Sequence, residues 1–177
     1  NERLEIFSKK LKKADWIFVS ALNSSEFVKW EENLEKIVEA CREKGTKLAF
    51  NPGQANIKEN CGKVMEAIKQ SQILMLNKDE AIEILSQGEN KYSAENLNDE
   101  IFLLKNLKAM GPEIVTLTYG ARGAWIFDGK ISLYTQTIGK NPVETTGAGD
   151  AFSSGFLAAH LKGKNPEECL KWGIANS

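Results

Sequence analysis

The 177-residue sequence predicts an α/β fold built on a mostly parallel sheet with one late antiparallel hairpin. Three observations carry this reading. Short apolar runs alternate with amphipathic stretches of helical period, the pattern of parallel βαβ units. Ile73-Leu74-Met75-Leu76 is continuously apolar, as a strand covered on both faces requires. Ala124-Trp125-Ile126-Phe127 and Ile131-Ser132-Leu133-Tyr134 flank Asp128-Gly129, which predicts a hairpin with a type I′ turn.

The elements follow in order. Leu4, Ile6, Phe7 and Leu11 alternate with Lys9, Lys10, Lys12 and Lys13 in a predicted amphipathic helix whose basic side is a solvated face. Trp16-Ile17-Phe18-Val19 is the first strand. From about residue 24 to 44, Phe27, Trp30, Leu34, Ile37, Val38 and Cys41 share one helical face, and Gly45 ends that helix. Lys47-Leu48-Ala49-Phe50 is a second strand, stopped by the turn signal Asn51-Pro52-Gly53. Ile57, Cys61, Val64, Met65 and Ile68 mark the next helix, and the apolar strand at 73–76 follows it. Ala81, Ile82 and Leu85 face inward from a short helix, with a polar loop over 87–92. Leu97, Ile101, Leu104 and Leu107 form one more helix, ended near Gly111-Pro112, before the strand Ile114-Val115-Thr116-Leu117-Thr118. Beyond the hairpin, helices run from about 149 to 162 and from Pro166 onward, the last capped by Asn165.

Composition narrows the function classes. Hydrophobic residues make up 42% and charged residues 27%, as in an ordinary soluble globular protein with one sizeable core. A net charge of −1 gives no broad attraction to nucleic acid or to an anionic membrane. Cys41, Cys61 and Cys169 are far apart and on apolar helical faces, which predicts buried free thiols and a reducing, cytoplasmic setting. The single histidine, His160, makes Ser-His-Asp or multi-histidine metal chemistry a poor fit and reads as a surface or half-buried residue. No signal peptide and no bilayer-length apolar run is visible. The chain opens on Asn1 and stops at Ser177 within a predicted helix, so both ends read as cuts in a longer protein.

Three loops carry unusual chemistry. In open α/β sheets, ligands bind beyond the carboxyl ends of the strands, and loops at Asn77, Gly120 and Gly147 are predicted to share that edge. Thr145-Thr146-Gly147-Ala148-Gly149-Asp150 joins a small-residue turn to a buried helix. Its amides and helix dipole suit an anion, and its acid suits proton transfer beside bound phosphate. It is neither a Walker A loop nor a dinucleotide fingerprint, and the plain alternative is a glycine turn with a structural first-turn acid. Thr118-Tyr119-Gly120-Ala121-Arg122-Gly123 reads as a nucleotide cradle or as a tight strand-to-strand turn. Asn77-Lys78-Asp79-Glu80 places Asn77 and Glu80 near Mg²⁺ and phosphates, or forms a capping box. The same Asn-x-x-Glu spacing recurs at Asn23/Glu26, Asn56/Glu59 and Asn165/Glu168, each where a helix is predicted to begin, so spacing alone favours capping.

Glu144-Thr145-Thr146-Gly147-Ala148-Gly149-Asp150 resembles the second signature of the ribokinase-like (PfkB-type) carbohydrate kinases, D-T-x-G-A-G-D. The elements at Asn77-x-x-Glu80 and Thr118-x-Gly120-x-x-Gly123 are similar to that family's nucleotide-side motifs in order and spacing. The resemblance spans nearly the whole chain. It implies a ribokinase-like, Rossmann-type sheet with helices on both faces, of which residues 1–177 are the nucleotide-side portion. The sugar-binding and lid part and the extreme C-terminus would lie outside it.

The resemblance also implies roles. Asp150 would be the base on a sugar hydroxyl, and the amides of Gly147, Ala148 and Gly149 the anion hole. Asn77 and Glu80 would organise Mg²⁺-ATP, Thr118, Gly120, Arg122 and Gly123 would hold the nucleotide, and Asn176 would lie near the adenine. Glu144 stands where the family has Asp, and with Thr146 it marks a K⁺ site whose geometry the longer side chain alters. The expected activity is ATP-dependent phosphorylation of a hydroxyl on a sugar or sugar-like molecule. The alternatives are a non-catalytic sugar- or nucleotide-binding regulatory module and a nucleoside or vitamin kinase of the same fold. The expected partners are ATP and the small substrate, without nucleic acid or membrane, with a homodimer formed through the absent lid. The portion alone is expected to be inactive.

Overall fold

A computed structural model of the chain describes residues 14–22, 29–88, 90–137 and 146–177. The basic N-terminal helix, residues 24–28 with Phe27, the Asn23/Glu26 pair, Glu144 and Thr145 lie outside the described residues.

Six strands form one sheet in sequential order. They are β1 (Trp16–Val19), β2 (Lys47–Phe50), β3 (Ile73–Asn77), β4 (Ile114–Thr118), β5 (Ala124–Phe127) and β6 (Ser132–Thr135). β1 to β4 are parallel, and β4–β5 and β5–β6 are antiparallel. The intervening helices are α1 (Trp30–Lys44), α2 (Gln54–Gln70), α3 (Lys78–Ser86), α4 (Ala94–Asn98) and α5 (Glu100–Ala109). Right-handed crossovers between sequentially ordered parallel strands put their helices on one face. There Leu34, Ile57, Ile68, Ile84 and Leu104 bury against Leu48, Leu74, Val115 and Leu117. α6 (Ala148–Leu161) and α7 (Pro166–Asn176) cover the other face, where Phe152, Phe156 and Leu170 bury against Ala49, Ile73, Met75 and Ile126. Alternating side chains of each strand thus feed two cores, which explains why β3 shows no polar position before Asn77.

The strands fall where the sequence places them, with three local corrections. Phe127 pairs with Ser132, so the hairpin closes through residues 128–131. Asp128 Oδ1 accepts from the amides of Lys130 and Ile131, each at 2.8 Å, and among the described residues only glycines have positive φ. The side-chain-capped loop replaces the two-residue type I′ turn, which needs positive φ at both central positions. The helix expected around Leu97–Leu107 is two, because Asp99 ends α4 and caps α5 with bonds to the amides of Ile101 and Phe102. Asn56 does not begin a helix; it is buried within α2, where its Oδ1 accepts from the amide of Leu22 at 3.1 Å. The capping bond is made one turn later, where α2 kinks at Asn60 and Asn60 Oδ1 accepts from the Lys63 amide.

The three cysteines are buried free thiols, and burial raises the Cys41 thiol to about 11. His160 is half-buried against the rings of Trp16 and Phe156, and that burial lowers its pKa. No helix among the described residues is long and apolar enough to cross a membrane.

Candidate active site

The carboxyl ends of β1 to β4 open into a cavity of about 310 Å³, closed on one side by the first turn of α6. Asn77 ends β3 and pairs directly with Thr118, which ends β4, so two of the three predicted loops are neighbours by strand register. Gly147, Gly149 and Asp150 face them from α6.

Gly147 is the N-cap of α6 in the left-handed conformation, φ 83°, which a glycine adopts without strain. It has no side chain to cap the helix. Ala148, Gly149 and Asp150 follow as the first three helical residues, positions whose amides have no intrahelical acceptor. A Cβ built on Gly149 would meet nothing within 4 Å, so the protein's own packing does not fill the space beside these donors. Asp150 is exposed at the third position, and its Oδ1 accepts a hydrogen bond from Ser20 Oγ at 3.1 Å.

Asn77 and Glu80 form a complete capping box. Asn77 Oδ1 accepts from the Glu80 amide and Glu80 Oε2 accepts from the Asn77 amide, both at 2.9 Å. The pair also lines the cavity, unlike Asn165, whose Oδ1 caps α7 through the Glu168 amide. Glu80 is only 6% exposed. Burial raises its carboxyl pKa, with help from Asp79 and Glu83, against hydrogen bonds from the Asn77 backbone and the Asn51 side chain. At the cavity floor, Thr116 Oγ1 is buried without a hydrogen-bond partner.

The other predicted residues stand around this cavity rather than on it. Gly120 to Arg122 form a single 3₁₀ turn. At Gly123 a Cβ would run into the carbonyl oxygen of Thr135, so this glycine, φ 99°, is required by the approach of β6. The Arg122 guanidinium lies 4.9 Å from the Tyr119 ring centroid. Asn176 Nδ2 donates to the Ala151 carbonyl at 2.6 Å, tying the end of α7 to the first turn of α6. Thr146 is exposed at the entry to α6, while Glu144, its companion at the expected K⁺ site, is outside the described residues.

Five polar residues of the cavity were not singled out from sequence: Ser20, Asn51, Gln54, Thr116 and Ser153. Ser20 and Asn51 had a signal, since each directly follows a parallel strand, the position already used to select Asn77. Thr116 and Ser153 had none, being small hydroxyls within otherwise apolar or small-residue runs.

The model of the pfkB family carbohydrate kinases matches residues 1–177. An uncharacterized sugar kinase of Archaeoglobus fulgidus is 34% identical over 126 residues, covering 71% of this chain and 46% of that protein. A nucleoside kinase of Methanothermobacter thermautotrophicus is 29% identical over 137 residues, covering 77% of this chain and 40% of that protein. The chain therefore spans less than half the length of these curated relatives. Among solved structures, a candidate ribokinase II of E. coli in complex with ATP and Mg²⁺ superposes with a TM-score of 0.77 at 18% identity, over 95% of this chain and 52% of that one. The sheet order, the cavity and the matched length agree on one assignment: this chain belongs to the pfkB family of carbohydrate kinases.

Proposed function

We propose that the whole protein is an ATP-dependent kinase that phosphorylates a hydroxyl of a sugar or sugar-like molecule, and that this chain supplies its phosphate side. The observation that carries the reading is the convergence on one cavity of an acid, open helix-start amides and a buried carboxylate–amide pair, Asp150, Gly147–Gly149 and Asn77/Glu80. Relatives named for sugars and for nucleosides both present a sugar hydroxyl, which keeps the substrate class at that level.

The residues fit a metal that arrives with the nucleotide. Among the described residues no three His, Cys, Asp or Glu side chains cluster into a closed metal cage. Mg²⁺ on nucleotide phosphates needs only one or two protein carboxylates and keeps several waters, a demand Glu80 meets with amide oxygens beside it. When bound, it would neutralise phosphate charge. K⁺ forms no part of the proposal.

Asp150 takes the proton of the substrate hydroxyl as the oxygen–phosphorus bond forms and the bond to the leaving ADP oxygen breaks. The unpaired amides at the start of α6 donate to the transferring phosphoryl oxygens, and the helix dipole adds favourable potential there. Asn77 and Glu80 hold one another rigidly, so the polar edge facing the phosphates is set before binding.

Asp150→Asn in the full-length protein tests this. ATP consumption over a panel of sugars and nucleosides is expected to fall by about 10²–10⁴-fold with the circular dichroism spectrum unchanged. Near-normal turnover would overturn the assignment.

A further inference from the structure

We infer that Ser20 is a positioning residue for the Asp150 carboxylate, and that the loop after β2 exists in part to hold Ser20 in place. The inference rests on the role of Asp150 proposed above.

Ser20 Oγ has one proton and two acceptors in reach: Asp150 Oδ1 at 3.1 Å and Asn51 Oδ1 at 3.5 Å. The shorter contact is to an acid that can carry charge, so the proton belongs to Asp150. Asn51 is oriented by another bond. Its Nδ2 donates to the Met75 carbonyl at 2.8 Å. With Nδ2 held on that carbonyl, the amide oxygen faces Ser20 Oγ at 3.5 Å.

The backbone of Ser20 is fixed from the same side. The Asn51 amide donates to the Val19 carbonyl at 2.9 Å, and Asn56 Oδ1 holds the Leu22 amide at 3.1 Å. Gly53 packs so closely on Ala21 that an added Cβ would lie 2.5 Å from the Ala21 Cβ. A rigid hydroxyl therefore meets the exposed side chain of Asp150. The bond occupies Oδ1 and assigns proton transfer to Oδ2.

The test is a kinetic cycle in the full-length enzyme with Ser20→Ala, Ser20→Thr, Asp150→Asn and Ser20→Ala/Asp150→Asn. Loss of one ångström-scale constraint at a reacting group is expected to lower kcat about 10–100-fold in Ser20→Ala with both KM values within about twofold. Ser20→Thr, which restores the hydroxyl, should recover most of kcat. In the Asp150→Asn background, Ser20→Ala should change the residual rate less than about twofold, because coupled residues are not additive. Ser20→Cys, similar in size and a weaker donor, stands in if Ser20→Ala does not fold and should lose kcat in the same way. A full-rate Ser20→Ala or Ser20→Cys, a loss confined to the sugar KM, or equal losses in both backgrounds would each overturn the inference. An active Asp150→Asn would instead remove the reading of the site on which it rests.

Discussion

Lys78 Nζ sits 2.8 Å from Glu100 Oε1, in an ion pair whose side chains are 5% and 20% exposed. The same ammonium donates to the Asn98 carbonyl at 2.9 Å and lies 4.6 Å from the Tyr119 ring centroid. One buried charge therefore ties the start of α3, the junction of α4 with α5 and the turn after β4. The first and last of these segments carry Asn77 and Thr118–Gly123.

Lys78→Met is expected to cost about 3 kcal/mol in a urea titration, since removing one partner strands the other in a poorly solvated place. Lys78→Met/Glu100→Leu should recover most of that loss. If the single variant is as stable as the parent, the ion pair is not what joins these segments.

Glu80 predicts a pH signature. Its folded-state pKa is raised above 4.5, so the folded chain binds more protons than the unfolded one between 4.5 and the folded value. Its contribution to stability is fully present below 4.5 and declines as pH rises through the folded value. Glu80→Gln keeps a side chain suited to the capping box and carries no charge. It should raise Tm at pH 7, with the gain shrinking as pH falls toward 4.5. Turnover should drop about 10–100-fold, the usual loss when a carboxylate that orients a metal–ligand set is removed. A variant less stable than the parent at pH 7 would contradict the burial argument.

Two helix glycines should respond in opposite ways. A Cβ on Gly155 would lie 2.6 Å from the Trp172 carbonyl oxygen, where α6 crosses α7. Gly155→Ala is therefore expected to lose about 1–3 kcal/mol through overpacking, read as a lower Tm. Gly149→Ala meets no neighbour and should gain about 0.5–1 kcal/mol from helix propensity while losing turnover, because the methyl enters the space left for phosphate. An active, stabilised Gly149→Ala would place the phosphoryl group elsewhere.

Much of the site was legible because strand ends and glycine-rich turns are local signals. Asn77 and Gly147–Asp150 follow from the apolar run before one and the small residues of the other. The Asn-x-x-Glu spacing was not decisive: Asn77 and Asn165 both cap a helix through the amide three residues on, and only the structure shows that the first pair completes a reciprocal box and lines the cavity. Asn56 shows the limit of such counting, since its side chain serves the Leu22 amide from a neighbouring loop.

By itself the sequence determined the alternation of strands and helices, the buried third strand and the glycine–acid helix start, because periodicity and backbone freedom act within a few residues. Only the tertiary structure decided which loops meet. The pairing of Asn77 with Thr118 needs the β3–β4 register, and the bond from Ser20 to Asp150 spans 130 residues. Such contacts depend on how two cores pack against one sheet, and no local pattern records that. Only the tertiary structure likewise showed what Gly123, Arg122 and Asn176 touch: the close approach of β6, the Tyr119 ring and the first turn of α6.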